Sequence, residues 1–269
     1  MPELPEVETI RRQLARAVVG KKITGVKILS AKTVRGSAGD FVKKIIGAKI
    51  KSIGRRAKLL LLNLFNGLTI ITHLKLTGQY LLDEEPNKYT RVIFYFGKKK
   101  LLFNDLRRFG YLKLARTADL PKFLAGEYGP EPLSADFILK KFSEILKRRP
   151  KMKIKQLLME QKLIAGIGNI YAQEACFMAR VKPTRPAKSL KKEEIKKLFQ
   201  AIKKVLAEAI KYGGSSSENY LNLYGKEGNF VPRLKVYGRG KQKCRRCGSI
   251  LKIIKLSGRG TVYCEICQK

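Results

Sequence analysis

Apolar and polar positions change period about midway along the chain. Val7, Ile10, Leu14 and Val18 recur at helical spacing over 5–20, and Gly20 supplies a stop. From residue 22 to about 115 the apolar segments become short and strand-like. They comprise Ile23, Val26 and Ile28, then the runs 48–54, 58–65, 68–74, 91–96, 100–103 and 109–114. These are rich in Ile, Leu, Phe and Val, and Asn66-Gly67, Glu85-Pro86-Asn87 and Gly97 punctuate them. One short helix is expected at 40–46. The stretch 116–133 holds Pro121, Gly126, Gly129, Pro130 and Pro132 and reads as a linker. Helical spacing then returns: a helix capped by Ser134 at 134–149, others at 153–161 and 169–179, and a long one at 189–212 closed by Gly213-Gly214. The pattern predicts an α+β protein. A two-layer β-sandwich with flanking helices (1–115) leads through the linker to a helical domain (134–214), a loop (215–235) and a small C-terminal module (236–269).

Charge narrows the choice of partner. Lys and Arg number 58 against 21 Asp and Glu, a formal +37, which calls for a polyanion and most simply nucleic acid. A ribosomal or membrane-surface role is the plainer alternative. Apolar residues make up 44% of the chain, enough for real cores. The most apolar region, 59–71, is broken by Asn63, Asn66 and Gly67 and is too short to span a bilayer. No charged-then-apolar leader is visible, so a cytoplasmic, nucleoid-associated monomer is expected.

The chain has five cysteines, and four of them stand as Cys244-x-x-Cys247 and Cys264-x-x-Cys267. That spacing predicts one structural Zn2+ held by four thiolates, with a disulfide pair as the lesser alternative. A β-hairpin with Ser257-Gly258-Arg259 at its tip fits between the knuckles, and a segment so small would take its folding energy from the metal. The fifth, Cys176, sits in an apolar helix as core. His73 is the only histidine, which excludes histidine triads and multi-histidine metal centres.

The first eight residues, Met-Pro-Glu-Leu-Pro-Glu-Val-Glu, carry unusual chemistry for a terminus. Removal of Met1 would leave Pro2 as a free secondary amine. The α-amino reference pKa is about 7.7–8 against about 10.4 for lysine, so such an amine is partly unprotonated near neutrality. It can attack a carbonyl-type carbon and form a cationic iminium. Glu3 and Glu6 put carboxylates beside it for proton transfer. The same residues also read as a helix start, with Pro5 in the first turn and Glu6 and Glu8 at the positive end of the dipole. Elsewhere, Ile164-Ala165-Gly166-Ile167-Gly168-Asn169 is either a tight turn between helices or an anion cradle at a helix N-terminus. Asn104-Asp105-Leu106-Arg107-Arg108-Phe109-Gly110 is either a solvated edge or a wedge-and-donor loop that could fill the gap left by an extruded base.

The opening Met1-Pro2-Glu3-Leu4-Pro5-Glu6-Val7-Glu8-Thr9, the 104–110 loop, the 164–172 turn and the four-cysteine module together resemble the formamidopyrimidine-DNA glycosylase family over nearly the whole chain. The resemblance implies a bifunctional DNA glycosylase and abasic-site lyase for oxidised purines in double-stranded DNA, with a helix–two-turns–helix element in its helical domain. It implies Pro2 as nucleophile, Glu3 and Glu6 as its acidic partners, and Lys58 and Arg259 as aids to strand elimination. Phe109, Arg107 and Leu76 would fill the gap in the duplex, Leu76 standing where the family usually has methionine. His73, Lys151, Lys155 and Asn169 would contact phosphates. Tyr89 falls where the family often has a histidine-containing DNA contact, and the loop after Gly214 matches a lid over the extruded base. An endonuclease VIII-like enzyme for oxidised pyrimidines and a non-enzymatic zinc nucleic-acid-binding protein are the alternatives.

Overall fold

The strand-period segments build two sheets that face each other. The structure, a computed structural model, describes every residue except Ser217 and Glu218. It divides into two compact units, Met1–Ala125 with Tyr212–Asn229, and Gly126–Lys211 with Phe230–Lys269.

In the first unit, β1 (Gly25–Ile28), β7 (Thr90–Phe96), β8 (Lys99–Asp105) and β6 (Gly78–Leu82) form a four-stranded sheet in the order β1-β7-β8-β6. A five-stranded sheet is ordered β2 (Val34–Arg35), β9 (Tyr111–Arg116), β5 (Leu68–His73), β4 (Leu59–Leu64), β3 (Ile50–Arg56). All neighbours are antiparallel except the short β2–β9 pair. Leu60, Leu62 and Ile70 from one sheet and Tyr80, Phe94 and Phe103 from the other meet in a single core. Helix α1 (Leu4–Val18) adds the stripe Val7, Ile10, Leu14 and Val18, every one of them buried. Helix α2 (Ala38–Ile45), capped by Ser37, contributes Phe41 and Ile45. The region expected to be a plain linker contains a short helix, α3 (Leu120–Leu124), with Pro121 in its first turn.

Two strands escaped the sequence pattern. β2 is two residues long, and β6 begins at Gly78 and carries Gln79 on one face. Gly78 is needed where it stands, because a Cβ there would lie 2.5 Å from the Leu74 carbonyl oxygen. A glycine breaks the apolar run that would otherwise mark a strand.

The second unit comprises α4 (Leu139–Arg148), α5 (Ile154–Met159), α6 (Asn169–Met178), α7 (Lys192–Lys211) and a hairpin of β10 (Lys252–Leu256) and β11 (Arg259–Tyr263). α4 starts four residues later than the Ser134 cap predicts. Ser134 bonds Asp136 instead, and the turn 134–138 buries Phe137 before the helix begins. α6 is buried on all sides from Ile170 to Phe177, including Gln173 and Glu174, which makes it the centre of this unit. The Glu174 carboxylate accepts N–H bonds from Lys235, Val236 and Tyr237, each 2.9 Å long, and so fixes the segment leading to the zinc module. Burial pushes its pKa up against the pull of those three donors.

Candidate functional site

The start of the chain is locked into the fold. Glu3 is the N-cap of α1 and Glu6 its third residue, and their side chains form a reciprocal capping box. The helix therefore begins one residue before the position Pro5 suggests. The Glu3 N–H donates to Glu6 Oε2 at 2.7 Å, and the Ser215 N–H donates to Glu6 Oε1 at 2.8 Å. Glu3 and Glu6 are 2% and 1% exposed. Glu6 thus clamps the residues around Pro2 to the start of the 215–229 segment. Gly214 makes this approach possible: its φ is +88°, and a Cβ there would sit 2.8 Å from Glu6 Oε1. The segment itself folds back on the first unit. Tyr220 and Leu223 join the core, the Leu223 N–H donates to Gln13 Oε1 at 3.0 Å, and the Leu82 N–H donates to the Leu223 carbonyl at 3.0 Å. The sequence predicts a loop here; in its described part Ser215 is held by Glu6, and Tyr220 and Leu223 are apolar anchors. The expectation that touches Ser217 and Glu218 lies outside the described residues.

A second constellation sits where the sheets connect. The β5–β6 loop carries Leu76, and the β8–β9 loop carries Arg107 and Phe109. Asp105, 1% exposed, ties them together. Thr77 Oγ1 donates to Asp105 Oδ1 at 2.5 Å, the Gly110 N–H to Oδ2 at 2.7 Å, and the Arg107 N–H to Thr77 Oγ1 at 2.9 Å. Leu106 and Phe109 are 46% and 52% exposed, and the Arg107 guanidinium lies 5.1 Å from the Phe109 ring centroid. Two exposed apolar side chains on a rigid base are wedge-like geometry. Tyr89 belongs to the same group through its carbonyl, which accepts the Asp105 N–H at 2.9 Å. Sequence reasoning missed Asp105 and Thr77 as organisers; the only signal was an acidic residue placed amid arginines.

His73 ends β5 and pairs with Leu59, the residue after Lys58, at the start of β4. The Lys75 N–H donates to His73 Nδ1 at 3.0 Å, so Nδ1 is an acceptor and Nε2 carries the proton. Burial, with Lys75, Lys58 and Arg35 nearby, lowers the His73 pKa to about 3. The ring is a neutral N–H donor at physiological pH.

The second unit carries its own set. Lys151 is exposed ahead of α5, and Asn169 opens α6 with Nδ2 3.4 Å from the Gly260 carbonyl. Lys155 lies on α5, facing the hairpin. It is 1% exposed, and its Nζ donates to Thr261 Oγ1 at 2.6 Å and to the Gly260 carbonyl at 3.4 Å. It anchors the hairpin from inside. Gln173 does the same from α6, accepting the Val262 N–H at 2.6 Å. Arg259 is not at the tip but opens β11, paired with Leu256 and exposed; Ser257 and Gly258 turn the hairpin with φ of 50° and 74°.

The sulfurs of Cys244, Cys247, Cys264 and Cys267 lie within 4.8 Å of one another. The Cys247–Cys264 and Cys244–Cys267 separations are 3.5 and 4.0 Å. A tetrahedron of thiolates around Zn2+ has edges of roughly 3.8 Å, whereas a disulfide bond is about 2.05 Å long. The donor set therefore fits zinc. The Arg246 and Cys267 N–H groups donate to sulfur at 3.4 Å, as a charged thiolate cage requires.

A capped, buried amino-terminal segment, a wedge loop on a basic β-sandwich and a helical unit closed by a zinc hairpin are the parts of a DNA-repair glycosylase. Three family descriptions match in order: the formamidopyrimidine-DNA glycosylase N-terminal domain over 1–112, its H2TH domain over 128–220, and the zinc finger found in FPG and IleRS over 241–269. Formamidopyrimidine-DNA glycosylases of Streptococcus mutans and Listeria monocytogenes are 45% and 42% identical over 274 and 280 residues, covering 100% of both chains in each case. Among solved structures, a Lactococcus lactis FPG mutant in complex with Fapy-dG containing DNA superimposes with a TM-score of 0.94 at 38% identity over 100% of both chains. Lactococcus lactis Fpg with abasic-site DNA gives 0.93 at 38% over 99% of each. The chain belongs to the formamidopyrimidine-DNA glycosylase family.

Proposed function

We propose that this base-excision-repair glycosylase removes oxidised purines from duplex DNA through the amine of Pro2 and then cuts the strand as an abasic-site lyase. The carrying observation is the Glu6 clamp, which fixes the segment around Pro2 against Ser215 through two charge-assisted hydrogen bonds of 2.7 and 2.8 Å. In this chain Pro2 follows Met1, so the nucleophile requires Met1 to be removed. The freed nitrogen attacks C1′ of the damaged nucleotide as the glycosidic bond breaks. Glu3 protonates the ring oxygen O4′, the sugar opens, and an iminium forms. The iminium acidifies the C2′ proton; its loss expels the 3′ phosphate, and a second elimination expels the 5′ phosphate.

Leu76, Phe109 and Arg107 occupy the gap left by the extruded nucleotide. Arg107 offers donors to the base opposite, and Leu76 keeps the wedge apolar. Lys58, His73, Tyr89, Lys151, Asn169 and Arg259 hold the DNA backbone, His73 as a neutral donor. Lys155 and Glu6 act through other groups and are positioning residues. Zn2+ on the four cysteines supplies structure, setting the hairpin that carries Arg259. The enzyme works as a monomer in the cytoplasm at the nucleoid; its described helices include none long and apolar enough to cross a membrane.

Borohydride trapping tests the reading. Wild type should give a covalent adduct with 8-oxoguanine and abasic duplexes, while Pro2→Gly and protein retaining Met1 should give none. A wild-type enzyme of verified mass that cannot be trapped on either duplex removes the amine mechanism. Comparison with duplexes carrying oxidised pyrimidines checks the substrate class.

A further inference from the structure

The end of the five-stranded sheet remote from His73 carries an exposed aromatic among lysines, within the first unit. Lys22 and Lys49 form an antiparallel bridge, and the Phe65 N–H donates to the Lys49 carbonyl at 3.0 Å, which continues the Ile50–Leu64 pairing by one step. Strand alternation then fixes the faces. Ile23, Ile50 and Leu64 are buried in the core, so Lys22, Lys49 and Phe65 stand together on the outer face. Phe65 is 64% exposed. Ile46, 47% exposed at the C-cap of α2, lies beside them, because the Lys22 side chain passes 3.9 Å from where a Cβ on Gly47 would be. The Asn66 side chain ties the Phe65 turn to α2, donating to the Lys44 carbonyl at 3.0 Å. Among the described residues, none of Lys22, Lys44, Lys49 and Lys51 has a carboxylate partner.

Like charges placed directly opposite on a sheet destabilise it, and Asp40 is the only acidic residue from 9 to 82 that could offset them. The surface is also not where the duplex is expected. Lys58 and His73 lie at the other end of β4 and β5, roughly 20 Å away at about 3.3 Å per residue. The cations change in kind along the same stretch, from Lys49 and Lys51 at this end to Arg55 and Arg56 at the Lys58 end. Arginine has the planar fork that matches phosphate, whereas lysine is a point charge. Ile46 offers no face on which a base could stack, and two apolar side chains on a rigid sheet end bury too little area to hold a bilayer. We infer that this surface docks an acidic segment of a partner protein, with its carboxylates on Lys22 and Lys49 and an apolar side chain against Phe65 and Ile46. An aromatic anchor within complementary charge gives such a contact both affinity and register.

A fluorescein-labelled peptide, Asp-Glu-Leu-Phe-Glu-Asp, is the probe, and the same peptide with serine for leucine and phenylalanine is a control of equal charge. Zinc-loaded full-length protein is first saturated with abasic duplex, so that its DNA face is occupied, and anisotropy is read at physiological salt. The probe should bind saturably and at least ten-fold tighter than the control. Phe65→Ser, Lys22→Glu and Lys49→Glu should each weaken it at least ten-fold. Thermal melts check that the variants are folded, and all three should trap abasic DNA with borohydride as wild type does. Single-stranded oligonucleotide and phosphatidylglycerol vesicles are titrated in parallel. Phe65-dependent binding of either one, with none of the peptide, assigns the surface to that class and overturns the acidic segment. Absent peptide binding, equal binding of probe and control, or binding that survives in the folded variants also overturns it, leaving only the diffuse attraction of a +37 protein for anions.

Discussion

At the scale of single residues, the site depends on buried carboxylates that make backbone bonds. Asp105 gathers the Thr77 hydroxyl and the Gly110 and Arg107 N–H groups, and no apolar pattern could have announced it. Hydrogen bonds to a charged group are worth about 1.5–3 kcal/mol each. Asp105→Asn puts an amide N–H2 against one of these donors, so it should cost about 2–4 kcal/mol of stability. It should also slow excision more than ten-fold while leaving zinc content unchanged. Denaturant melts and single-turnover kinetics check the pair. Glu6 and Gly214 give a sharper test, because each explains the other. Gly214→Ala should cost about 1–3 kcal/mol from its positive φ and its contact with Glu6. In a Glu6→Ala background the contact vanishes and only the backbone strain remains, so the double mutant should be less destabilised than the sum of the singles. Additive costs would mean that Glu6 does not press on Gly214.

His73 belongs to the same scale. Its pKa is lowered to about 3 in the folded chain, against a reference near 6.5. A depressed folded pKa means that the unfolded chain binds more protons between these values. The residue's contribution to stability is thus full above about pH 6.5 and is lost as pH falls toward 3. His73→Gln should flatten that part of the stability–pH curve. Nitrogen NMR of wild type should show a neutral ring protonated on Nε2 at pH 5; an imidazolium signal there contradicts the buried acceptor at Nδ1.

At the scale of elements, what could be read from the sequence was what carries a period. α1, the apolar β4 and β5 strands and α7 announce themselves, because their buried faces repeat at 3.6 or 2 residues or run unbroken. β6 did not, since Gly78 and Gln79 interrupt it and tertiary pairing with β8 makes it a strand. Within the site, the cysteine spacing gave the metal centre directly. Lys155 shows the opposite case: a lysine reads as a surface cation until packing reveals it under a hairpin. That hairpin rests on Lys155, Gln173 and Asn169 together with the zinc cage, and these supports should fail together. Chelation of Zn2+ should release Thr261 and Val262 from their partners and expose 241–269 to protease first. It should also weaken DNA binding at least ten-fold while the near-ultraviolet signal of the first unit persists. Proteolysis followed by mass spectrometry checks this. Uniform cleavage across both units would mean that the hairpin is not an independently metal-dependent element.

At the scale of the whole molecule, a formal charge of +37 has two consequences of opposite sign. Self-repulsion among 58 cationic side chains opposes the compact state, so screening it should stabilise the free protein. The same screening weakens DNA binding, because each neutralised phosphate releases counterions and contributes about 0.9 to the slope of log K against log salt. Raising salt should therefore increase the Tm of the free enzyme while reducing its affinity for an abasic duplex. Adding non-specific duplex at low salt should raise Tm by mass action. Within that large background, one side chain can still be resolved. Arg259→Ala should lower the salt slope by about 0.9 if its guanidinium sits on a phosphate, with little change in Tm because the side chain is exposed. A variant with an unaltered slope but defective elimination places Arg259 at the reacting sugar instead of the backbone, and this distinction is independent of how tightly the other cations hold the DNA.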